Sequence, residues 1–414
     1  MSFLKTTFWL CVFGVAYNYA GYPVLLFVIS TMLQAKKDFL YLIGRRNRRR
    51  CLLDDYVPHV AVLISAHNEA PVILDKAKNG LGIDYPASRL EIWFGLDAPG
   101  DSTAEILKQI TDSRLHVVEF AVRRGKLAVL ADLARRTSAE ILLFTDANTM
   151  LDRHCVRKMV RHFVDSQVAV VSGEEIRTAA RESDTGGESI YWRYESAIKI
   201  LESRLNWSQG ANGAALAVRH SLFKPKEGSI VEDFQIPLEL RFQGYRVVYD
   251  PEAIATEEIA PTLSAQFARR IRIGAGNYQT LFRNPRYLSP LNGSLTFSYI
   301  SHRLLRWLTP LFLVIAFLCS LAMASEIRFI ALLAVQCVFY SAALIAYVLK
   351  KRGRSLPLLS VPLHFCSMNL ALLLGLRAYL TGRQGVTWNS TPRSRAAVDK
   401  TVEVEAPSSI RSAA

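Results

Sequence analysis

Hydrophobic residues follow two patterns along this chain: long uncharged stretches near both ends, and short alternating runs between them. Residues 6–35 carry no charged side chain and exceed the ~20 apolar residues that a membrane-spanning helix needs. A cleaved secretory signal would have a shorter apolar region, so a membrane anchor over 1–35 is favoured. A second membrane region, 308–380, contains three further apolar stretches, at 308–324, 329–349 and 356–376.

The part between these regions has ordinary soluble composition. Short β-branched apolar runs predict strands at 60–66, 90–97, 114–120, 140–146 and 168–173. Residues 126–137 and 152–165 have helical periodicity instead. This alternation predicts an α/β domain over 57–286 whose mostly parallel sheet is covered on both faces. Ligands in such sheets bind beyond the carboxyl ends of the strands.

Three other segments complete the organisation. Residues 36–56 are a basic juxtamembrane linker, and 287–307 is an amphipathic segment expected at the membrane interface. Residues 181–190 read as a flexible loop, followed by a helix at 191–206. The polar tail, 381–414, lacks aromatic residues from about 391 onward and is expected to be disordered.

The net charge of +14 is concentrated beside the apolar stretches. Arg45–Arg50 follows the first stretch, and Lys350 and Lys351 follow the third. This positive-inside signal predicts that the soluble domain lies on the cytoplasmic side of the membrane. The chain is then a multi-pass protein of the inner (plasma) membrane and contacts membrane lipid. No nucleic-acid recognition motif accompanies the charge, so no nucleic-acid partner is expected. The six cysteines have no metal-type spacing, and a disulfide framework is not expected.

The position of the C-terminus is open at this stage. Four spans with a cytoplasmic domain would put both termini outside, whereas Arg377, Arg383, Arg393 and Arg395 favour a cytoplasmic C-terminus. Pro357 and Pro362 allow the last segment to be re-entrant or broken instead.

Polar residues follow each predicted strand, where ligands of such sheets bind. The loop Ser65–Glu69 follows the first strand, and Asp97–Thr103 follows the second. Their carboxylate and amide groups suit a base and a ribose, although ordinary turns also explain them. Arg123-Arg124-Gly125-Lys126 opens a helix, where free backbone N–H groups and a lysine suit phosphate, or where a solvated helix simply begins.

Two acidic segments and one basic segment complete the candidate site. Asp146 and Asn148 follow an apolar strand and offer oxygen ligands to a divalent metal on a diphosphate, or Asp146 merely caps the next helix. Glu232-Asp233 stands at a loop-to-helix transition after the Gly-rich segment 210–219, and either acid alone reads as a helix N-terminal charge. The segment 266–276 carries Arg269, Arg270 and Arg272, which suit a diphosphate or anionic lipid.

Taken in this order, the segments resemble those of the membrane-bound family 2 glycosyltransferases, the cellulose synthase-like branch. The resemblance covers roughly 57–388 and includes the late FSYISHRLLRW and TGRQGVTW segments. It implies a GT-A fold and an inverting, metal-dependent sugar transfer from a nucleotide sugar. The expected donor is a UDP-sugar. The acceptor would be a membrane-associated lipid or glycan in surface or extracellular polysaccharide synthesis.

The resemblance also implies roles for individual residues. Asp233 matches the general base, with Glu232 beside it, and Arg272 matches the arginine of the QxxRW motif. Asp146 and Asn148 match the metal-binding DxD, for Mg2+ or Mn2+. The donor-binding set comprises His67, Asn68, Glu69, Asp97, Asp101, Lys126, Asp146, Gly213 and Arg269.

The chain departs from the family pattern at several positions. The QxxRW segment reads Arg269-Arg270-Ile271-Arg272-Ile273, so an isoleucine stands where processive synthases have an aromatic platform. Asn148 replaces the last acid of DxD, and His67 replaces a common tyrosine. Limited transfer is therefore favoured over a processive synthase coupled to export. A non-catalytic membrane scaffold or transporter is the alternative of another class; it would show no metal-dependent donor hydrolysis.

Overall fold

The computed structural model of the chain describes residues 2–44, 56–178, 186–226, 228–258, 262–354 and 356–382. Three sequence features lie outside these residues, wholly or mostly: the basic run Arg45–Arg50, the TGRQGVTW segment and the polar tail. Of the loop predicted at 181–190, the second half is described, and it is helical.

The centre of the molecule is an eight-stranded mixed sheet. Its strand order is β3-β2-β1-β4-β7-β6-β8-β5, in which β7 is antiparallel to both neighbours and β5 is antiparallel to β8. The remaining pairs are parallel. The strands are β1 Val60–Ala66, β2 Leu90–Asp97, β3 Leu115–Phe120, β4 Ile141–Asp146, β5 Thr149–Leu151, β6 Val168–Thr178, β7 Leu216–Arg219 and β8 Arg246–Glu258.

The central strand shows why the sheet is buried on both faces. Successive side chains of a strand point to opposite faces. Val62 and Ile64 of β1 pack into one apolar cluster, while Ala61 and Leu63 pack into another on the opposite face. An unbroken apolar run is therefore what a doubly covered parallel strand requires. The predicted α/β class and its covered sheet are confirmed.

Three strands were not predicted, because their patterns are weak. β5 and β7 are very short, and β7 follows a Gly-rich segment that reads as a loop. β8 is interrupted in its middle by Asp250-Pro251-Glu252, and it pairs in parallel with β6 through a register shift between Gly173 and Glu174. In the sheet, β7 connects β4 to β6, and β8 and β5 form the edge beyond β6.

Helices cover both faces of the sheet and form the apolar regions at the two ends. The helices are α1 Ser2–Ala16, α2 Tyr22–Leu42, α3 Ala70–Leu81, α4 Thr103–Lys108, α5 Lys126–Ala134, α6 Cys155–Val160, α7 Gly186–Leu205, α8 Glu232–Phe242, α9 Leu263–Arg283, α10 Ser294–Ser298, α11 Leu305–Ala322, α12 Ile327–Lys351 and α13 Pro357–Leu380.

Four helical segments are long and apolar enough to cross a membrane: Ser2–Leu42, Ser294–Ala322, Ile327–Lys351 and Pro357–Leu380. The first joins α1 to α2 through a π-helical turn, and the second joins α10 to α11 through another. The segment predicted at 287–307 is divided: 3-10 turns run to Asn292, and a continuous helix then begins at Ser294. Pro362 lies inside α13 without interrupting it.

Candidate active site

The carboxyl ends of three parallel strands meet at one edge of the sheet. Ser65 of β1 pairs with Asp146 at the end of β4, and Ala66 pairs with Leu96 of β2. His67, Asp97 and Asp146 are therefore brought side by side by the register alone. This edge is where ligands of open α/β sheets bind.

The loops after β1 and β2 hold each other in place. The ring of His67 is 2.7 Å from the carbonyl oxygen of Asp97, through Nδ1. Asn68 adopts a φ of 55° and accepts a 2.7 Å hydrogen bond from the backbone N–H of Gly100. Such a left-handed conformation is uncommon outside glycine and is best tolerated by Asn and Asp. Two predicted donor-binding loops thus form one rigid unit.

Asp101 and Glu69 strengthen the same unit from inside. The Asp101 carboxylate accepts hydrogen bonds of 3.1 Å each from the backbone N–H groups of Ala70 and Thr103. Glu69 is buried, and its N–H donates to the Thr103 hydroxyl at 3.0 Å. The Asp101 carboxylate thus joins the loop after β1 to the loop after β2. Its role in donor binding stays a prediction.

Asp97 holds the next loop, which opens α5. Its fully buried carboxylate accepts hydrogen bonds from the backbone N–H groups of Arg124 at 2.7 Å and Gly125 at 3.0 Å. Gly125 has a φ of 88°, which side chains rarely adopt. These contacts fix the direction in which Lys126 leaves the loop. The contact of Asp97 with a nucleoside remains a prediction.

Lys126 joins the two acidic segments. Its ammonium lies 2.7 Å from Asp146 Oδ1 and 2.6 Å from Glu232 Oε1. Burial opposes the charged form, but Asp146 and Glu232 outweigh it and raise the Lys126 pKa. The lysine side chain is 21% exposed and Asp146 is 26% exposed, so the cluster can be reached from solvent.

Asp233 lies beside this cluster, on the first turn of α8. A Cβ added to Gly213 would stand 3.1 Å from Asp233 Oδ2, so the predicted Gly213 permits the close approach of the two loops. Burial, followed by the neighbouring Glu232, raises the Asp233 pKa to about 6, while Lys126 and Arg272 act in the opposite direction. A carboxylate with such a pKa is suited to proton transfer near neutral pH.

Arg272 and Arg269 of α9 have different environments. Among the described residues, Arg272 has no hydrogen-bond or ion-pair partner, although its charge acts on Asp233. Arg269 instead forms a paired contact with Glu257, at 2.5 Å and 3.2 Å. A half-buried cation without a partner suits an anionic ligand. Arg269, predicted to bind the donor, is already neutralised by Glu257.

Glu257 is a charged residue of the site that sequence reasoning missed. It is buried at the end of β8, and its Oε1 also accepts a 3.0 Å hydrogen bond from Asn148 Nδ2. Although burial acts to raise it, Arg269 and its neighbours lower the Glu257 pKa to about 2. Glu257 thereby ties α9 to the turn after β4. Since β8 was not predicted, no pattern pointed to it.

The residues around Asp146 fit a divalent metal whose coordination shell is completed by ligands from outside the protein. One Asp146 oxygen meets Lys126, and the other has no hydrogen-bond partner in the described part of the chain. Asn148 uses its amide nitrogen for Glu257, which leaves its side-chain oxygen available. The described residues hold no group of three or more His, Cys, Asp or Glu side chains placed for a metal. Magnesium commonly relies on such partial protein coordination plus water and phosphate oxygens.

Comparison with known proteins identifies the class of this chain. The family model for glycosyl transferase family group 2 matches residues 141–349, half of the chain, and the chain belongs to this family. In fold, it is similar to a mannosyltransferase of Pyrobaculum calidifontis solved with GDP-Man and Mn2+. That similarity has a TM-score of 0.68 at 21% identity and covers 91% of this chain and 100% of the other. At this identity the likeness shows the fold alone, a GT-A fold.

Two curated relatives add detail at the level of sequence. The chain is 25% identical over 252 residues to a poly-beta-1,6-N-acetyl-D-glucosamine synthase of Staphylococcus aureus, covering 58% of this chain and 59% of that enzyme. It is 23% identical over 347 residues to an N-acetylglucosaminyltransferase of a Rhizobium species, covering 78% and 75%. The predicted family and enzyme class are therefore confirmed. The predicted roles of single residues are tested by none of these comparisons.

Proposed function

We propose that this chain is an inverting glycosyltransferase that moves a sugar from a nucleotide sugar to a membrane-associated glycan or lipid acceptor. The observation that carries the proposal is the Lys126 bridge, which joins Asp146 to Glu232, the neighbour of Asp233. A base, a cation and oxygen ligands thereby lie in one small site. Sugar transfer needs all three.

Asp233 is the proposed general base. Its carboxylate takes the proton of the acceptor hydroxyl, whose oxygen forms a bond to the anomeric carbon of the donor sugar. The bond from that carbon to the diphosphate oxygen breaks in the same displacement, which inverts the anomeric configuration. The raised pKa of Asp233 makes the carboxylate a stronger base than an ordinary aspartate, while leaving it ionised at neutral pH.

Lys126 and Arg272 are the two cations proposed to stabilise the departing nucleoside diphosphate. Lys126 can contact it while remaining beside Asp146, and Arg272 supplies a guanidinium without a protein partner among the described residues. Preorganised charges of this kind act most strongly on the charge that develops during the reaction. A divalent ion, Mg2+ or Mn2+, bound by Asp146 and Asn148 would neutralise further charge on the diphosphate.

The proposed donor is based on the two relatives, and the proposed product length is based on Ile273. The names of both curated relatives refer to N-acetylglucosamine, which favours a UDP-linked N-acetylhexosamine, whereas the mannosyltransferase of similar fold was solved with GDP-Man. The similarity to a polymer synthase keeps processive synthesis as the second candidate. Ile273 is 36% exposed and offers no aromatic face to a sugar ring, which favours limited transfer.

The proposed location is the plasma membrane, with the GT-A domain on its cytoplasmic side. Four long apolar helices support the membrane attachment. Lys350 and Lys351 in the last turn of α12 support the orientation, because cytoplasmic ends of spans are enriched in lysine and arginine. Surface or extracellular polysaccharide synthesis is the process proposed for this enzyme.

Purified protein supplied with labelled UDP-GlcNAc and GDP-Man in turn would test the proposal, with Mn2+ or Mg2+ present. Asp233→Asn should lower turnover by roughly two to four orders of magnitude, because the amide cannot accept the proton. Asp75→Asn, an exposed acid on α3, is the matched control and should behave as wild type. Near-normal transfer by Asp233→Asn would remove the base assignment, and the length of labelled product separates limited from processive transfer.

A further inference from the structure

A fully buried lysine lies behind the turn that carries Asp146 and Asn148. Lys76 projects from α3, and its side chain has no solvent exposure. Its ammonium donates a 3.1 Å hydrogen bond to the Thr145 hydroxyl and a second one to the Thr149 carbonyl oxygen. Thr145 lies at the end of β4 and Thr149 at the start of β5, so the two acceptors flank Asp146 and Asn148.

A neighbouring residue on the same helix holds the next part of the turn. Asn79 donates a 2.8 Å hydrogen bond from Nδ2 to the carbonyl oxygen of Leu151. In return, its Oδ1 accepts a 2.9 Å hydrogen bond from the Leu151 N–H. Since α3 begins directly after the loop of His67 to Glu69, one helix connects both sets of predicted ligand-binding residues.

Burying an ammonium is costly unless its hydrogen bonds are made. A methionine has nearly the same length and would fill this position without that cost. Burial lowers the Lys76 pKa to about 7, and Asp146 is the main group that acts in the opposite direction. Packing alone does not call for a lysine here, and among the described residues the ammonium donates its hydrogen bonds to Thr145 and Thr149, which flank Asp146 and Asn148.

We infer that Lys76 is a positioning residue, which holds the Asp146–Asn148 turn in the geometry that binds the metal and the donor diphosphate. This role rests on the proposed function of that turn. Lys126 acts on Asp146 from the solvent side, whereas Lys76 supports the backbone from inside the domain. Without Lys76, the turn would keep its residues but lose their fixed spacing.

Hydrogen–deuterium exchange of the full-length protein tests the inference without any ligand. Lys76→Met should raise exchange in the peptide covering residues 145–151 by at least about tenfold, while the strands of the central sheet keep their protection. Lys78→Met, exposed on the same helix, is the control and should leave that peptide unchanged. Unchanged exchange in Lys76→Met would overturn the inference. A uniform loss of protection across the sheet would mean that this variant has not folded, and exchange in Thr145→Val would then decide.

Thr145→Val is the second variant, in case Lys76→Met does not fold. It removes one acceptor of the ammonium with little change in shape, and it should raise exchange in the same peptide by a smaller factor.

Binding of Mn2+ with UDP or GDP, followed by electron paramagnetic resonance, gives a separate readout. Lys76→Met should weaken Mn2+ binding about tenfold or more relative to Lys78→Met, and equal binding would contradict the positioning role. If wild type itself binds no Mn2+ with either nucleotide, the proposed function fails, and the exchange experiment alone decides whether Lys76 holds the turn.

Discussion

At the scale of single residues, the site works by placing charges of opposite sign at short range. The two acids of the Glu232-Asp233 pair have different roles. Glu232 pairs with Lys126, whereas Asp233 has a pKa raised to about 6 by burial and by Glu232. The resemblance predicted a base with a supporting acid. The structure adds that the supporting acid holds a lysine, which in turn holds Asp146.

The pH dependence of transfer follows from the Asp233 pKa. The base must be ionised to accept a proton, so the rate should fall about tenfold per pH unit below about pH 6. If the base had the ordinary pKa of an aspartate, the rate would instead be maintained down to about pH 4. Initial rates between about pH 5 and about pH 8 would measure this fall, the acidic limb of the pH–rate profile.

Lys126→Met should change the pH dependence in a predictable direction. Lys126 lowers the Asp233 pKa, so its removal should move the acidic limb to higher pH as well as reduce the rate. Asp75→Asn should leave the limb in place. A limb that stays fixed in Lys126→Met would show that a group other than Asp233 controls it.

At the scale of elements, the position of Arg272 depends on how α9 packs against α13. The two helices approach at glycines: a Cβ added to Gly375 would lie 2.8 Å from the backbone nitrogen of Ala275. Farther along, the rings of Phe282 and Tyr379 stack with their centroids 5.5 Å apart. Such close backbone contact leaves no room for a larger side chain.

Gly375→Leu should therefore displace α9 and, with it, Arg272. Overpacking at such a contact costs about 1–3 kcal/mol or more, so the variant should still insert into membranes but lose most transfer activity. Val361→Leu, on an exposed position of the same helix, is the control and should retain activity. Donor binding by wild type and both variants would measure the effect. Unaltered binding in Gly375→Leu would show that the packing of α13 does not determine the position of Arg272.

At the scale of the whole molecule, buried charges connect the GT-A domain to the apolar helices. His302 of the π-helical turn before α11 lies 2.7 Å from Glu202 of α7, which also accepts a 2.8 Å hydrogen bond from the Tyr22 hydroxyl. Arg306 pairs with the buried Glu195 of the same helix. Removing one partner of such a buried pair is strongly unfavourable, so these pairs fasten α7 to the apolar helices.

The orientation of α13 bears on the position of the C-terminus. The guanidinium of Arg306 lies over the Tyr19 ring, 5.3 Å from its centroid, which defines one level of the helices at the two ends of the chain. In its first half, α13 meets this level where Phe365 packs on Tyr19, with centroids 5.3 Å apart.

Near its end, α13 meets the same level again. Tyr379 packs against the apolar cluster that contains Tyr278 and Trp307, and Trp307 directly follows Arg306. The helix rises ~20 Å between Phe365 and Tyr379, yet both residues pack near the level of Arg306. Thus α13 crosses the helices at that level instead of running alongside them.

We therefore expect α13 to lie along the cytoplasmic membrane surface beside α9, although its length and composition allow a span. A reporter fused to the C-terminus should then be cytoplasmic, in agreement with the basic residues after α13. A reporter after Glu326, between α11 and α12, should lie on the opposite side and serves as the control. An external C-terminal reporter would show that α13 spans the membrane.

Much of the fold was predictable because its signals are local. The strand ending at Ala66 and the helix beginning at Lys126 are defined by periodicity within a few residues. The acids Asp146, Glu232 and Asp233 could be assigned as a set because the family motifs follow one another in order. Glu257 could not be found, since its partners Arg269 and Asn148 come together only when β8 joins the sheet.

The sequence by itself determined the apolar helices, the α/β domain, the family and the candidate base. These depend on composition, period and motif order, which are properties of neighbouring residues. Only the tertiary structure decided that Lys126 bridges Asp146 and Glu232, that Lys76 lies behind the Asp146 turn, and that α13 packs on α9. Each of these joins segments far apart in the chain, and such contacts are set by the packing of the whole domain.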